Sequence, residues 1–226
     1  MKTILIVGSS RGIGLQVAQQ LTAARHRVIG LSRTAGEADT VHHNTDILNG
    51  ELPAIEETID GIVYCPGSIN LRPFRALKAD DFRNDFEINT VGAVRTLQQY
   101  LPNLQRGNGP AVVLFSTVAV QTGMPYHASV AAAKGAVEGI TRSLAAEWAP
   151  KIRVNCIAPS LTDTPLAAKL LDSDAKRQAS ADRHPLKQVG NSAHVAAMAC
   201  FLLGEEASFI TGQIIKIDGG ISSVKN

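Results

Sequence analysis

Short runs of branched aliphatic residues alternate along this chain with longer stretches of helical periodicity, and this alternation limits the possible folds most. The strand-like runs are Ile4 to Val7, Arg27 to Leu31, Thr40 to His42, Gly61 to Cys65, Ala111 to Phe115, Ile152 to Ile157 and Gln213 to Ile217. Between them, Ile13 to Ala24, Leu52 to Thr58, Ala79 to Leu101, His127 to Ala149, Pro165 to Arg183 and Ser192 to Leu203 read as helices. Strands joined by helical crossovers run parallel, and the crossovers pack back onto both faces of the sheet. The expected fold is α/β, a single doubly wound parallel sheet with helices on both faces. Ser32 to Asp39 leaves no room for a crossover helix and reads as an irregular loop. Arg106 to Pro110 reads as a turn. With no linker or internal repeat, the 226 residues read as one domain spanning 1–226.

Composition removes several classes of function. At 45% hydrophobic and 19% charged residues the chain is neither disordered nor low in complexity. Cys65, Cys156 and Cys200 have no C-x-x-C spacing, so neither a disulfide framework nor a metal site is expected. His42 and His43 lack ligand partners at metal spacing and read as surface residues. The net charge of +2 asks for no nucleic acid or membrane surface. There is neither a signal-peptide pattern nor an apolar run of roughly 18 residues, so the protein is expected to be cytoplasmic. Leu161 to Gln188, bounded by Pro165 and Pro185, reads either as a mobile flap over a site, at about 161–188, or as a plain pair of surface helices.

The first strand runs into Gly8-Ser9-Ser10-Arg11-Gly12-Ile13-Gly14, which opens the first helix. Glycines at these places allow a sharp turn, close approach of a pyrophosphate to the backbone, and tight packing of helix on sheet. A helix N-terminus aimed at the turn favours an anion. The bland alternative is a tight turn. At the end of the second strand a carboxylate would take the ribose hydroxyls of NAD, whereas an Arg accommodates the 2′-phosphate of NADP. Ser32-Arg33 stands there, and Arg11 lies in the turn, which favours NADP(H) over NAD(H) unless both arginines are simply solvated.

Taken together, these segments resemble the short-chain dehydrogenase/reductase family, nearly end to end. The Gly8 to Gly14 turn is similar to the family's T-G-x-x-x-G-x-G, with Val7 for the Thr. Asp46 matches the acidic residue at the adenine, and Asn89 matches the Asn of the catalytic tetrad. Pro159-Ser160-Leu161-Thr162-Asp163-Thr164 is similar to P-G-x-x-x-T, whose final Thr holds the nicotinamide carboxamide, and Phe209 to Gly220 is also family-like. The resemblance implies a Rossmann-type sheet of about seven strands and a homodimer or homotetramer. It also implies hydride transfer between a nicotinamide and a small-molecule carbonyl or alcohol. On this reading the cofactor is held by Gly8, Ser10, Arg11, Gly12, Ile13, Gly14, Ser32, Arg33, Asp46, Cys65, Gly67, Asn89, Lys134, Pro159, Thr162 and Thr164. In the family a Tyr is general acid and base, a Lys four residues on lowers its pKa and holds the ribose, and a Ser orients the carbonyl.

Here the sequence departs from the pattern. Lys134 matches the tetrad Lys, but four residues before it stands Val130, which can move no proton. Thr117, beside Ser116, takes the Ser position, while Tyr64-Cys65-Pro66-Gly67 replaces N-N-A-G and Ser160 replaces a Gly. Three explanations stand. In the first, Tyr126 substitutes, because at i−4 from Val130 it shares the stripe of Lys134 if the helix begins early enough, with His127 as a second donor in the same turn. Alternatively, the chain is a non-catalytic NADP-binding subunit or sensor, or the substrate supplies its own acid. The catalytic set expected is Lys134, Thr117, Asn89 and Tyr126. Leu161, Leu166, Leu170 and Leu171 point to an apolar carbonyl substrate.

Overall fold

The computed structural model describes residues 1–224. Strands β1 (Thr3–Val7), β2 (Arg27–Ser32), β3 (Val41–Asn44), β4 (Gly61–Tyr64), β5 (Ala111–Phe115), β6 (Arg153–Pro159) and, at the C-terminal edge, Ile214–Ile217 form one sheet. The sheet has seven strands, all paired in parallel, in the order β3, β2, β1, β4, β5, β6 and the Ile214–Ile217 strand. Its order reverses between β1 and β4, and in open α/β sheets ligands settle at the carboxyl ends of the strands beside such a reversal.

Alternation along the strands feeds two cores. Leu5, Val7, Ile62, Tyr64, Val112 and Leu114 face one side. There they meet helices α3 (Gly92–Gln105) and α5 (Ala128–Trp148), which bring Leu97, Tyr100, Leu104 and Val137. Ile4, Ile6, Val63 and Val113 face the other side. Helices α1 (Gly12–Ala23) and α7 (Ser192–Leu203) cover them with Val17, Leu21, Val195 and Leu202. With both faces covered, these strands can be aliphatic throughout, which is why they read as continuous apolar runs in the sequence.

The structure corrects several boundaries and one element. Leu52 to Thr58 is not a helix but an irregular strap, held by side chains of α3 and of Arg106 just beyond its end. Tyr100 Oη donates to Pro53 O at 2.8 Å, Asn103 Nδ2 donates to Ile55 O and to Glu57 O, and Arg106 Nη2 donates to Glu56 O at 2.9 Å. Once these carbonyls are taken, the segment has no need of helical hydrogen bonds. The helix expected from Ala79 is interrupted: α2 (Ala79–Phe86) passes through a π-helical turn at Glu87–Val91 into α3. Pro165 to Arg183 divides into a 3₁₀ turn, Pro165–Leu170, and helix α6 (Asp174–Asp182). Its flanks pair in a ribbon the sequence reading did not foresee, β7 (Thr162–Asp163) with β8 (Gly190–Asn191). Counting these two, the Ile214–Ile217 strand is β9.

Candidate active site

The glycine turn is built as a cradle. Gly8 and Gly12 have φ of +80° and +58°, a region that side chains strongly disfavour. A Cβ on Gly14 would lie 2.2 Å from Gly8 O, so this approach of α1 to the turn admits no side chain. Beneath the turn lies a carboxylate the sequence reading missed. Asp39 Oδ2 accepts from Ser9 Oγ at 2.9 Å and from Gly36 N–H at 3.1 Å, and lies 3.1 Å from His42 Nδ1. A Cβ on Gly30 would meet that carboxylate at 2.1 Å. His42, expected at the surface, is therefore packed inward because Asp39 draws it there. Arg11 and Arg33 are exposed at the rim. Ser32 Oγ donates to Thr34 O at 2.7 Å. Asp46 closes a small turn on Leu48 N–H at 3.0 Å, and that bond, with help from Asn49, holds its carboxyl below the usual range.

Beside the turn, at the carboxyl ends of the strands, opens a cavity of about 350 Å³. Ile69, Leu71, Met124, Val130, Leu166 and Leu170 supply apolar walls. Leu161 also lines it, whereas Leu171 is buried inside the flap. Both ends of the 161–188 segment therefore contribute to the cavity wall. Lys134, Thr117, Ile13, Cys65, Gly67, Pro159, Thr162 and Thr164 also border the cavity. Thr164 packs on the glycine turn: a Cβ on Gly12 would touch it at 3.6 Å.

Helix α5 buries Val130, Ala133, Lys134, Val137, Glu138 and Thr141, a 3-and-4 spacing that turns one stripe inward. Lys134 is only 8% exposed, and its Nζ donates to Phe115 O at 2.7 Å. Burial lowers its pKa to about 8. Burial also pushes the neighbouring Cys65 thiol up to about 12, so that residue serves as an apolar wall rather than a nucleophile. Asn89 sits in the π turn, a distortion common at functional sites. Its Nδ2 donates to Ser68 Oγ at 2.8 Å and to Asp85 O at 2.7 Å, while its buried Oδ1 has no partner among the described residues. A Cβ on Gly67 would stand 3.1 Å from that Oδ1 and 3.5 Å from Lys134 Nζ, so Asn89 and Lys134 converge on one bare patch of backbone. Ser116 does not face the cavity as a donor. Its hydroxyl bonds Glu138 Oε1 at 2.9 Å.

Val130, 6% exposed, occupies the cavity wall four residues before Lys134. Tyr126 is not brought to the site. Helix α5 starts at Ala128, too late for the stripe to extend to Tyr126, whose φ is +70° and whose side chain is 58% exposed. His127 borders the cavity with Nδ1 directed to Pro125 O at 2.7 Å. The sequence reading also missed a second pair, on the wall formed by the flap. Ser160 Oγ lies 2.9 Å from His184 Nε2, and His184 is only 2% exposed. Their separation of 24 positions gives no local signal.

A glycine turn closed to a side chain at Gly14, set at the reversal of a parallel sheet, is the arrangement by which open α/β folds receive dinucleotides. Residues 46–222 match the family model described as Enoyl-(Acyl carrier protein) reductase, and the chain belongs to the short-chain dehydrogenase/reductase family. It is 29% identical over 232 residues to the 3-oxoacyl-[acyl-carrier-protein] reductase MabA of Mycobacterium tuberculosis (strain ATCC 25618 / H37Rv), covering 97% of this chain and 92% of that one. It is 28% identical to the L-xylulose reductase of Bos taurus, covering 96% and 94%. The aldohexose dehydrogenase AldT of Thermoplasma acidophilum, solved without ligand, superposes with a TM-score of 0.89 at 26% identity, covering 100% of this chain and 96% of that one. Members of the family are oxidoreductases of CH–OH and C=O groups that use nicotinamide cofactors. No helix among the described residues is long and apolar enough to cross a membrane.

Proposed function

We propose that the protein is an NADP(H)-dependent oxidoreductase acting on the carbonyl or alcohol group of a small apolar molecule. The observation that carries the reading is that Lys134 and Thr117 line an apolar cavity beside a glycine cradle, with Asn89 next to Gly67 at its edge. The residues suit the cofactor: Gly14 can bear no Cβ, and the bare backbone at Gly67 lies beside a buried acceptor left open on Asn89. Gly8, Ser10, Gly12, Ile13 and Gly14 would receive the pyrophosphate, Arg11 and Arg33 the 2′-phosphate, and Asp46 the adenine. Pro159, Thr162 and Thr164 would border the nicotinamide. When bound, the reduced nicotinamide supplies a hydride to the carbonyl carbon. Lys134 commits one of its three protons to Phe115 O, leaving two to hold ribose hydroxyls. Thr117 offers a hydroxyl to orient the carbonyl, and the apolar walls exclude water. The rival reading, a non-catalytic NADP-binding subunit, rests on Val130 alone.

A fluorescence titration of the purified chain with NADPH and with NADH tests the reading. Tight binding of NADPH and weak binding of NADH is the expected result. Equal affinities would remove the role given to the two arginines, and no binding of either would end the proposal.

A further inference from the structure

We propose that Ser160, backed by His184, is the proton donor that Val130 cannot be; this rests on the oxidoreductase reading above. The hydrogen bonding fixes the tautomer that the neutral ring adopts. His184 Nδ1 lies 2.8 Å from Ser180 O, and a carbonyl oxygen only accepts, so Nδ1 carries the proton. In the neutral ring Nε2 is then a bare acceptor, and the Ser160 hydroxyl, 2.9 Å away, donates to it. A hydroxyl bonded to a neutral imidazole that is oriented from behind gains base strength, and with the ring protonated at Nε2 the same contact lets the hydroxyl pass a proton on.

Both residues are held in register. Ser160 N–H donates to Ile217 O at 3.2 Å, and the preceding Pro159 O accepts from Val118 N–H at 3.2 Å, which puts Ser160 beside the segment carrying Thr117. The imidazole packs against Gly219, where a Cβ would approach its Cδ2 at 3.4 Å. Ser160, His184, Thr117, Val130 and Lys134 all line the one cavity, and Tyr126 does not.

The step balances as follows. In reduction the pair starts with His184 protonated at both nitrogens, so that Nε2–H donates to Ser160 Oγ and the hydroxyl is free to donate to the substrate. As hydride from a bound reduced nicotinamide would add to carbon, the C=O π bond breaks, the oxygen takes the proton of Ser160 Oγ, and Oγ takes the Nε2 proton, which leaves the ring neutral with Nε2 bare until solvent reprotonates it. In oxidation the alcohol proton passes to Ser160 and on to the neutral ring.

The test uses the full chain with NADPH and 1-phenyl-1,2-propanedione as the carbonyl probe. Ser160→Ala and His184→Gln should each lower kcat about 10²-fold with KM for NADPH unchanged, and the double variant should lose no more than either alone. Val130→Tyr in the Ser160→Ala background should recover turnover by restoring a phenol four residues before Lys134. Independently of activity, nitrogen-15 spectra of the cofactor-free chain should show His184 protonated at Nδ1, with an Nε2 signal that moves in Ser160→Ala. The proposal is overturned if Ser160→Ala keeps the wild-type kcat, if the two losses multiply, if Nδ1 is bare, or if Tyr126→Phe alone removes turnover. A wild-type chain that binds NADPH but reduces no probe would instead defeat the oxidoreductase reading on which the relay depends.

Discussion

Lys134 carries its charge where little water reaches it, and the cost of that is measurable. Burial favours the neutral amine, so between about pH 8 and 10.5 the unfolded chain binds more protons than the folded one. Stability therefore rises with pH through that window, and below it the folded state bears a penalty of about 3 kcal/mol. The apo Lys134→Met variant should be more stable than wild type by up to that amount at pH 7, less whatever the lost bond to Phe115 O contributes. Its advantage should shrink as pH approaches 10.5. Urea melts at pH 7 and pH 10 would check this, and an advantage that stays constant with pH would mean the ammonium is hydrated after all. Destabilisation kept at one residue is what a binding group at a functional site looks like.

The strap from Leu52 to Thr58 shows an element shaped by its neighbours. Asn103, 7% exposed, satisfies two of its carbonyls, so Asn103→Ala should cost about 1–3 kcal/mol. Thermal melts should register that as a fall of roughly 2–4 °C per kcal/mol; an unchanged midpoint would mean water takes the place of the amide. The same segment shows where sequence reading ends. Leu52 and Ile55 sit three apart as on a helix, and nothing local says that an amide some fifty positions later will claim the backbone. Strands β1, β2, β4, β5 and β6 were legible because burial on both faces demands nearly unbroken aliphatic runs. In the site, the glycine turn, Lys134 and Val130 were legible because their spacing is fixed within single elements. Asp39 beneath the turn and His184 beside Ser160 were not, because each meets its partner only after a loop folds back. Tyr126 misled because a stripe drawn on an ideal helix says nothing of where the helix begins.

At the scale of the molecule, the cofactor would bridge segments that otherwise meet only at their edges: the glycine turn, the ends of β4 to β6, and the flap. A ligand that binds only the folded state at 100 times its Kd adds about 2.7 kcal/mol. NADPH at that excess should therefore raise the melting midpoint by roughly 5–10 °C, and NADH at the same concentration by less. Scanning calorimetry with each nucleotide would decide it, and equal shifts would mean that Arg11 and Arg33 do not distinguish the two. The β7–β8 ribbon has a consequence of a different kind. Thr162 pairs with Gly190 and Asp163 with Asn191, so the chain leaves the main body and returns to it at almost the same point. What lies between, once Thr164 and His184 are kept, is free of the sheet's pairings. Descendants of such a chain can lengthen, shorten or rewrite the rest of it, and so change what they accept, without disturbing a single pairing of the sheet that carries it.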